Sequence, residues 1–263
     1  LKGLAAGVLC AAFLSACAVS PNHLEPIPNS VEMSETNNLY DKAIDRFKSK
    51  YPDVPVHYLD RDSYLSAEEF IASVKSTYKG NWSSELLSER FKSKGGALLH
   101  YSLESNSNLR GCLVIPSDPS ATAEQVVESI SDDPSLIPYI EKESKEYLEH
   151  EIFYHELAHC VLIAKDKKPA GEYSAEAIAD AFAIAMHISD YGLETEFPQR
   201  FAAYREQVPL HRVRLNGEYG SSAAGLSYAT HESIRAIYDD AEQNPDKYIG
   251  AAMDEIYNRV LEI

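Results

Sequence analysis

The feature that most constrains this chain is a pair of histidines four residues apart inside one apolar helical segment. Residues 144–165 repeat apolar side chains at helical spacing and contain the stretch HELAH, with His155, Glu156 and His159. Positions four apart lie one above the other on an α-helix, so both imidazoles face the same side. Burying two imidazoles without a partner costs free energy. The spacing therefore predicts that His155 and His159 bind one metal ion, and a solvated helix face is the alternative.

Glu156 follows the first histidine of this pair by one residue, which is about 100° around the helix. From that position its carboxylate can contact a water on the ion without being a ligand itself. His150 and Glu151 begin a similar pair, but position 154 is a tyrosine and His150 lies five residues from His155. We therefore expect His150 at the surface.

A third ligand is expected from elsewhere in the chain, because a catalytic zinc site usually takes three protein ligands and leaves the fourth position to water. The next predicted helix, for which Ser174 is a plausible N-cap, carries two acids four residues apart, Glu176 and Asp180. Two unpaired carboxylates on an apolar helix are unfavourable. An ion accounts for Glu176 and a histidine N–H accounts for Asp180. Glu172, in the preceding loop, is the alternative to Glu176.

The whole stretch, HELAH followed by Glu176 and Asp180 in AEAIADAF, resembles the gluzincin peptidases of the thermolysin type. The resemblance implies a zincin-like fold and a zinc-dependent metallopeptidase with one Zn²⁺ per chain. It implies that His155, His159 and Glu176 bind the zinc, that Glu156 is the general base, and that Asp180 contacts His155. It further implies a peptide or protein substrate lying antiparallel to an edge strand, for which one strand of the hairpin described below is the counterpart.

Gluzincins also use a tyrosine or histidine to stabilise the developing oxyanion. The corresponding segment here runs from a glycine-rich loop into a helix that we expect to begin near Thr230. Tyr228 and His231 are best placed, and Tyr219 is a third choice. A histidine at a helix start is favoured in its neutral form, which suits a hydrogen-bond donor. The alternative is a capping segment with a partly buried tyrosine and histidine.

The amino-terminal segment indicates where the protein resides. Residues 1–16 contain Lys2 followed by an apolar run too short to span a bilayer, and they end in Leu-Ser-Ala before Cys17. This resembles a bacterial lipobox, which implies a cleaved signal peptide and a lipidated Cys17. Ala18 then implies the outer membrane, with the protein facing the periplasm. The alternative is an ordinary secretory signal with an incidental cysteine.

Two further cysteines, Cys112 and Cys160, remain in a compartment that permits disulfides. They either pair or are buried as separate thiols, because the sequence carries no distance between them.

The rest of the chain predicts an α+β fold. Residues 17–38 are rich in proline, asparagine and serine and read as a flexible tether, and residues 39–263 form one domain. Residues 54–59 alternate as a strand, and two more β-type runs form a hairpin. The expected architecture is a small mixed or antiparallel sheet followed by a mainly helical C-terminal half. The other predicted segments are helices at 39–51 and 66–79, the latter capped by Ser66, and hairpin strands at 97–103 and 109–115.

Charge narrows the range of partners. The chain has 24 basic and 41 acidic residues and a formal net charge of −17. Without a basic run, nucleic-acid binding has no electrostatic basis, and an anionic lipid surface would repel the folded domain. We therefore expect membrane attachment through the lipid anchor alone. A non-hydrolytic, zinc-stabilised binding or assembly lipoprotein is the rival to the peptidase.

Overall fold

The computed structural model describes residues 37–78, 82–93, 96–102, 110–118, 121–122, 125, 145–165, 172–216 and 229–263. The predicted signal peptide, Cys17 and nearly all of the tether lie outside the described residues. In the part of the chain that is described, no helix is long and apolar enough to cross a membrane.

Three strands form one mixed sheet in the order β1, β3, β2. The central strand β3 pairs in parallel with β1, with Val56 opposite Cys112, and antiparallel with β2, with Leu99 opposite Leu113. The two strands of the predicted hairpin are therefore both present and paired. The strands are β1 (Val56–Tyr58), β2 (Ala97–Ser102) and β3 (Arg110–Ile115).

Helices account for most of the remaining described residues, so the mixed α+β class is confirmed. They are α1 (Asn37–Lys50), α2 (Ala67–Thr77), α3 (Ser84–Lys92), α4 (Lys145–Ala164), α5 (Glu172–Tyr191), α6 (Phe197–Asn216), α7 (His231–Gln243) and α8 (Met253–Val260).

Local capping explains where several helices begin. The Ser66 side chain accepts a hydrogen bond from the backbone N–H of Glu69 and caps α2, as predicted. Ser83 caps α3 in the same way, a helix for which the sequence analysis made no prediction. The prediction for α5 was wrong, because the helix begins at Glu172 and Ser174 lies inside it.

The sheet is covered on both faces, which is why β3 is an almost uninterrupted apolar run. Cys112 and Val114 belong to the larger core, which contains α4 and α5. Leu113 and Ile115 point the other way, into the smaller core formed with α2 and α3. Just before β2, Gly96 allows α4 to approach the sheet closely, since a Cβ at this position would collide with Ile152.

Helices α4 and α5 form the centre of the larger core and pack along each other. Helices α7 and α8 pack against α5, and α6 packs against α7. The pair α4 and α5 thus lies between the sheet on one side and the C-terminal helices on the other. Side chains on the facing surfaces of this pair are removed from bulk water, and the candidate site lies there.

Candidate metal centre

Three side chains predicted as ligands come together between α4 and α5. The Nε2 atoms of His155 and His159 are 3.3 Å apart. His155 Nε2 is 3.2 Å from Oε2 of Glu176, and His159 Nε2 is 3.7 Å from Oε1 of the same carboxylate. The helical spacing of four residues aligns the two rings, and the packing of α5 on α4 brings the carboxylate to them.

The dimensions of this triangle fit a tetrahedral zinc ion. Ligand atoms that lie about 2.0–2.2 Å from such an ion are about 3.3–3.6 Å from one another. The two imidazole nitrogens are 3.3 Å apart, and they lie 3.2 and 3.7 Å from the two different oxygens of the Glu176 carboxylate, which is close to that range. Two imidazole nitrogens and one carboxylate oxygen are also the donor set of known catalytic zinc sites. The residues present therefore fit zinc in both geometry and chemistry.

Asp180 contacts the first histidine on the side away from this triangle. His155 Nδ1 is 2.6 Å from Oδ1 of Asp180, and the aspartate is completely buried. If Nδ1 carries the hydrogen and donates a hydrogen bond to this carboxylate, the lone pair of Nε2 points toward Glu176. Such a carboxylate contact is the usual way in which a metal-binding imidazole is oriented.

Two further donors hold the same carboxylate, and the sequence analysis assigned neither of them. Arg205 on α6 donates to Oδ1 of Asp180 over 2.8 Å, and the Thr230 hydroxyl, just before α7, donates to Oδ2. Both residues are buried. Arg205 follows Phe197 and Phe201 at helical spacing, so its position on the buried face of α6 was a signal that could have been used.

Charges within the site stabilise ionised carboxylates and a positive charge beside them. Despite burial, Arg205 and His155 lower the pKa of Asp180. Burial also opposes ionisation of Glu176, but its hydrogen bond to His155 and the charge of that ring lower its pKa. Although burial acts against it, Asp180 and Glu176 raise the pKa of His155 well above its ordinary value. The same two carboxylates favour a metal cation at this place for the same Coulombic reason.

The pKa shifts of His159 and Glu156 are opposite in direction to those of His155 and Glu176. Burial and the neighbouring His155 lower the pKa of His159 to about 4, so this ring is neutral and can offer a lone pair. Burial raises the pKa of Glu156, which is on α4 beside the histidines but outside the triangle. The side chain of Glu156 is partly accessible, as a group that exchanges protons with a reacting water must be.

The expectation that His150 lies at the surface was wrong, because both His150 and Glu151 are buried on α4. The helix packs against α1, the sheet and α5, and the turn that contains His150 and Glu151 is removed from solvent. Glu151 lies one turn before His155, close to Asp180. Its burial and the charge of Asp180 raise its pKa. Both oxygens of Asp180 already take part in hydrogen bonds with His155, Arg205 and Thr230, whereas Oε1 of Glu151 is buried without a hydrogen-bond partner among the described residues.

For the remaining predicted site residues, the described residues show no contact with the three candidate ligands. His231 is the first residue of α7, directly after Thr230, and its Nδ1 atom has no hydrogen-bond partner among the described residues. No described contact joins its ring to the three ligand atoms. Tyr228 and Tyr219 lie outside the described residues. Glu172, the alternative ligand, begins α5, and its side chain is not among those described.

Cys112 and Cys160 form a disulfide that links β3 to α4. Cys160 directly follows the ligand candidate His159, and both cysteines are completely buried. The bridge therefore ties the helix that carries two of the three ligand candidates to the central strand of the sheet.

No family model matches this chain, and neither a curated protein nor a solved structure matches it.

Proposed function

We propose that this protein is a zinc-dependent peptidase of gluzincin type that hydrolyses peptide bonds in peptides or proteins. The observation that carries the proposal is the triangle of His155, His159 and Glu176, with ligand atoms 3.2–3.7 Å apart. Glu156 stands next to it on the same helix. A site that used zinc only for stability would have no need of a carboxylate in that position.

In this proposal the side chains of the site have three roles, which are metal binding, orientation of His155 and proton transfer. His155, His159 and Glu176 would hold a zinc ion, which would supply Lewis-acid chemistry toward the peptide carbonyl and a water molecule at neutral pH. Asp180 orients His155 through Nδ1. The carboxylate of Glu156 takes the proton of the attacking water and passes it to the leaving amine.

Substrate binding and oxyanion stabilisation are part of the same proposal. Strand β2 is an edge strand of the sheet and packs near α4, so it can accept a substrate strand by backbone pairing. His231 begins α7 beside Thr230, which itself donates to Asp180. We assign the oxyanion donor to His231 or to Tyr228, with Tyr219 as the third choice.

The cell envelope is the proposed location, with a zincin-like domain attached to the outer membrane through a lipidated Cys17. A disulfide between two completely buried cysteines is characteristic of proteins from oxidising compartments, and the periplasm is one of these. The acidic net charge of −17 argues against direct adsorption of the domain to anionic lipid.

The decisive experiment compares the zinc-loaded wild-type protein with its Glu156→Gln variant on a diverse peptide library. Glu156→Gln preserves side-chain size, so zinc content measured by mass spectrometry should stay near one per chain. The amide cannot accept the proton of water, so kcat should fall at least about 10²–10⁴-fold.

Glu149→Gln is the matched control. Glu149 is also a buried acid of α4, but it pairs with Lys145 rather than lying beside the ligand candidates. Its replacement should leave turnover close to that of the wild type. If the zinc-loaded wild type cleaves no peptide, or if Glu156→Gln cleaves equally fast, the non-hydrolytic binding lipoprotein becomes the better assignment.

A further inference from the structure

A second group of polar side chains, which includes two buried histidines, lies farther along the same two helices. We call His150 on α4 and His187 and Asp190 on α5, together with Arg46 on α1, the latch cluster. His150 Nε2 is 3.0 Å from Oδ2 of Asp190, and the two histidine rings meet edge to face with centroids 5.8 Å apart. Both histidines have 0% exposure. Neither takes part in the candidate metal centre.

Charges in the latch cluster balance only while both histidines are neutral. Asp190 accepts a hydrogen bond from Arg46 over 3.0 Å as well as one from His150. One carboxylate is therefore already matched by one guanidinium. Glu146 of α4, which also interacts with His150, accepts a hydrogen bond from the Tyr191 hydroxyl and is exposed to solvent. A proton on either histidine would add a positive charge beside an ion pair, Arg46 and Asp190, that is already balanced.

The hydrogen-bonding pattern also leaves no acceptor for an added proton. His150 uses Nε2 toward Asp190, and His187 uses Nε2 toward the Thr195 hydroxyl at 2.7 Å. The Nδ1 atom of each ring is buried and has no hydrogen-bond partner among the described residues. If Nε2 is the donor in each ring, a further proton must go onto Nδ1. It would then form a buried, charged N–H group without an acceptor, which is strongly unfavourable.

Aromatic rings pack against both histidines of the latch cluster. Tyr147 and Phe197 each contact the His187 ring with centroids 4.9 Å apart, and Tyr154 contacts His150 at 4.6 Å. The groups that face the two histidines are Arg46 from α1, Glu146, Tyr147 and Tyr154 from α4, Asp190 and Tyr191 from α5, Thr195 from the following turn and Phe197 from α6.

We propose that the latch cluster is an acid-sensitive lock, which holds α1, α4, α5 and the start of α6 together while His150 and His187 are neutral and releases them when either ring is protonated. Because α4 and α5 also carry His155, His159 and Glu176, release would loosen the helix pair on which the candidate metal centre is built. The proposal concerns folding and packing alone and does not depend on the peptidase assignment.

The direction of the pH effect follows from linkage. Burial lowers the pKa of His150, and burial together with the nearby His150 lowers the pKa of His187 to about 3. In the unfolded chain both values return to about 6.5. A group with a lowered native pKa contributes stability that is complete above the unfolded value and is lost as the pH falls. The two histidines therefore contribute their full stability at neutral pH, and this contribution decreases below about pH 6.5.

The first test reads the two rings in the native wild-type protein by ¹⁵N NMR of the imidazoles between pH 7.5 and pH 5.0. We expect His187 to remain neutral throughout this range and His150 to be neutral at pH 6.5, with the proton on Nε2 of each ring. If either ring is already protonated in the folded protein at pH 6.5, the proposal is overturned.

The second test measures urea unfolding of the full chain over the same pH range. Each histidine that stays neutral in the native state lowers the folding constant up to about tenfold per pH unit below its unfolded pKa. His187→Phe keeps an aromatic ring against Tyr147 and Phe197 but cannot titrate, and His150→Gln keeps a donor toward Asp190. Each variant should lose up to about a tenfold dependence per pH unit between pH 6 and pH 5.

His57→Gln provides the comparison, because it removes a histidine that is only partly buried and lies on β1, outside the latch cluster. Burial also lowers the pKa of His57, so this variant should lose the share of His57 but keep the pH dependence that His150 and His187 contribute. If His150→Gln does not fold, His187→Phe and the NMR titration still decide the question. A pH dependence equal to that of the wild type in His187→Phe would refute the lock.

Discussion

His155 and Asp180 face each other across α4 and α5, with Nδ1 of the imidazole 2.6 Å from Oδ1 of the carboxylate. The contact turns the opposite nitrogen, Nε2, toward His159 and Glu176. Arg205 and Thr230 hold the same carboxylate from α6 and from the start of α7. The buried Asp180 on α5 therefore joins α4, α6 and the start of α7, and these contacts together orient the His155 ring.

Replacing Asp180 by asparagine should weaken zinc binding without removing any ligand. The neutral amide supports the Nδ1 proton less well and lowers the basicity of Nε2. Zinc affinity should fall about 10–100-fold, as measured by competition with a chelator of known affinity. Asp240→Asn is the control, since Asp240 also accepts hydrogen bonds from an arginine, Arg259, but contacts no histidine. Equal zinc affinity in the Asp180→Asn and Asp240→Asn proteins would contradict this role.

Arg205→Met should be among the most destabilising single changes in α6. It removes a donor 2.8 Å from Asp180 and leaves that buried carboxylate without its cation. Breaking a buried ion pair in this way typically costs about 3–5 kcal/mol. Arg200→Met, which removes a partly exposed arginine of the same helix that pairs with the exposed Glu196, should cost no more than about 1 kcal/mol. Urea unfolding curves that fail to separate the two variants would count against the importance of the Asp180 contact.

The disulfide should contribute substantially to stability. It joins Cys112 and Cys160 across 48 residues of chain and so restricts the unfolded state. Replacing both cysteines by alanine should lower the free energy of unfolding by about 2–5 kcal/mol, measured in urea. Reduction of the wild type should lower it to a similar extent, whereas the double variant should not respond to reductant. A wild type whose unfolding is unchanged by reductant would exclude the bridge in solution.

Cys17→Ser tests the proposed anchor. If acyl chains on Cys17 are the only hydrophobic attachment, the serine variant should move from the membrane fraction to the soluble fraction after cell lysis. Cys10→Ser, which changes a cysteine within the predicted signal peptide, should leave the protein in the membrane fraction. Unchanged sedimentation of Cys17→Ser would remove the lipobox from the account.

Helical periodicity was sufficient to predict which side chains share a face within one element. His155 and His159, and likewise Glu176 and Asp180, were assigned to common faces because residues four apart are neighbours on any α-helix. The two hairpin strands and the Ser66 cap were also predictable, because alternation and capping depend on residues close in sequence. These features need no knowledge of how the elements pack.

Contacts between distant segments could be decided only by the tertiary structure. Arg205 and Thr230 lie 25 and 50 residues beyond Asp180, and no sequence period relates such positions. The distance between Cys112 and Cys160 likewise depends on how α4 packs on β3. His150 was assigned to the surface because one helix face was considered alone, yet α1 and α5 enclose the opposite side as well. Local helix geometry thus determined the spacing of the candidate ligands. The surroundings of these residues were decided by burial and by the packing of α4 and α5, because burial and packing depend on the whole chain.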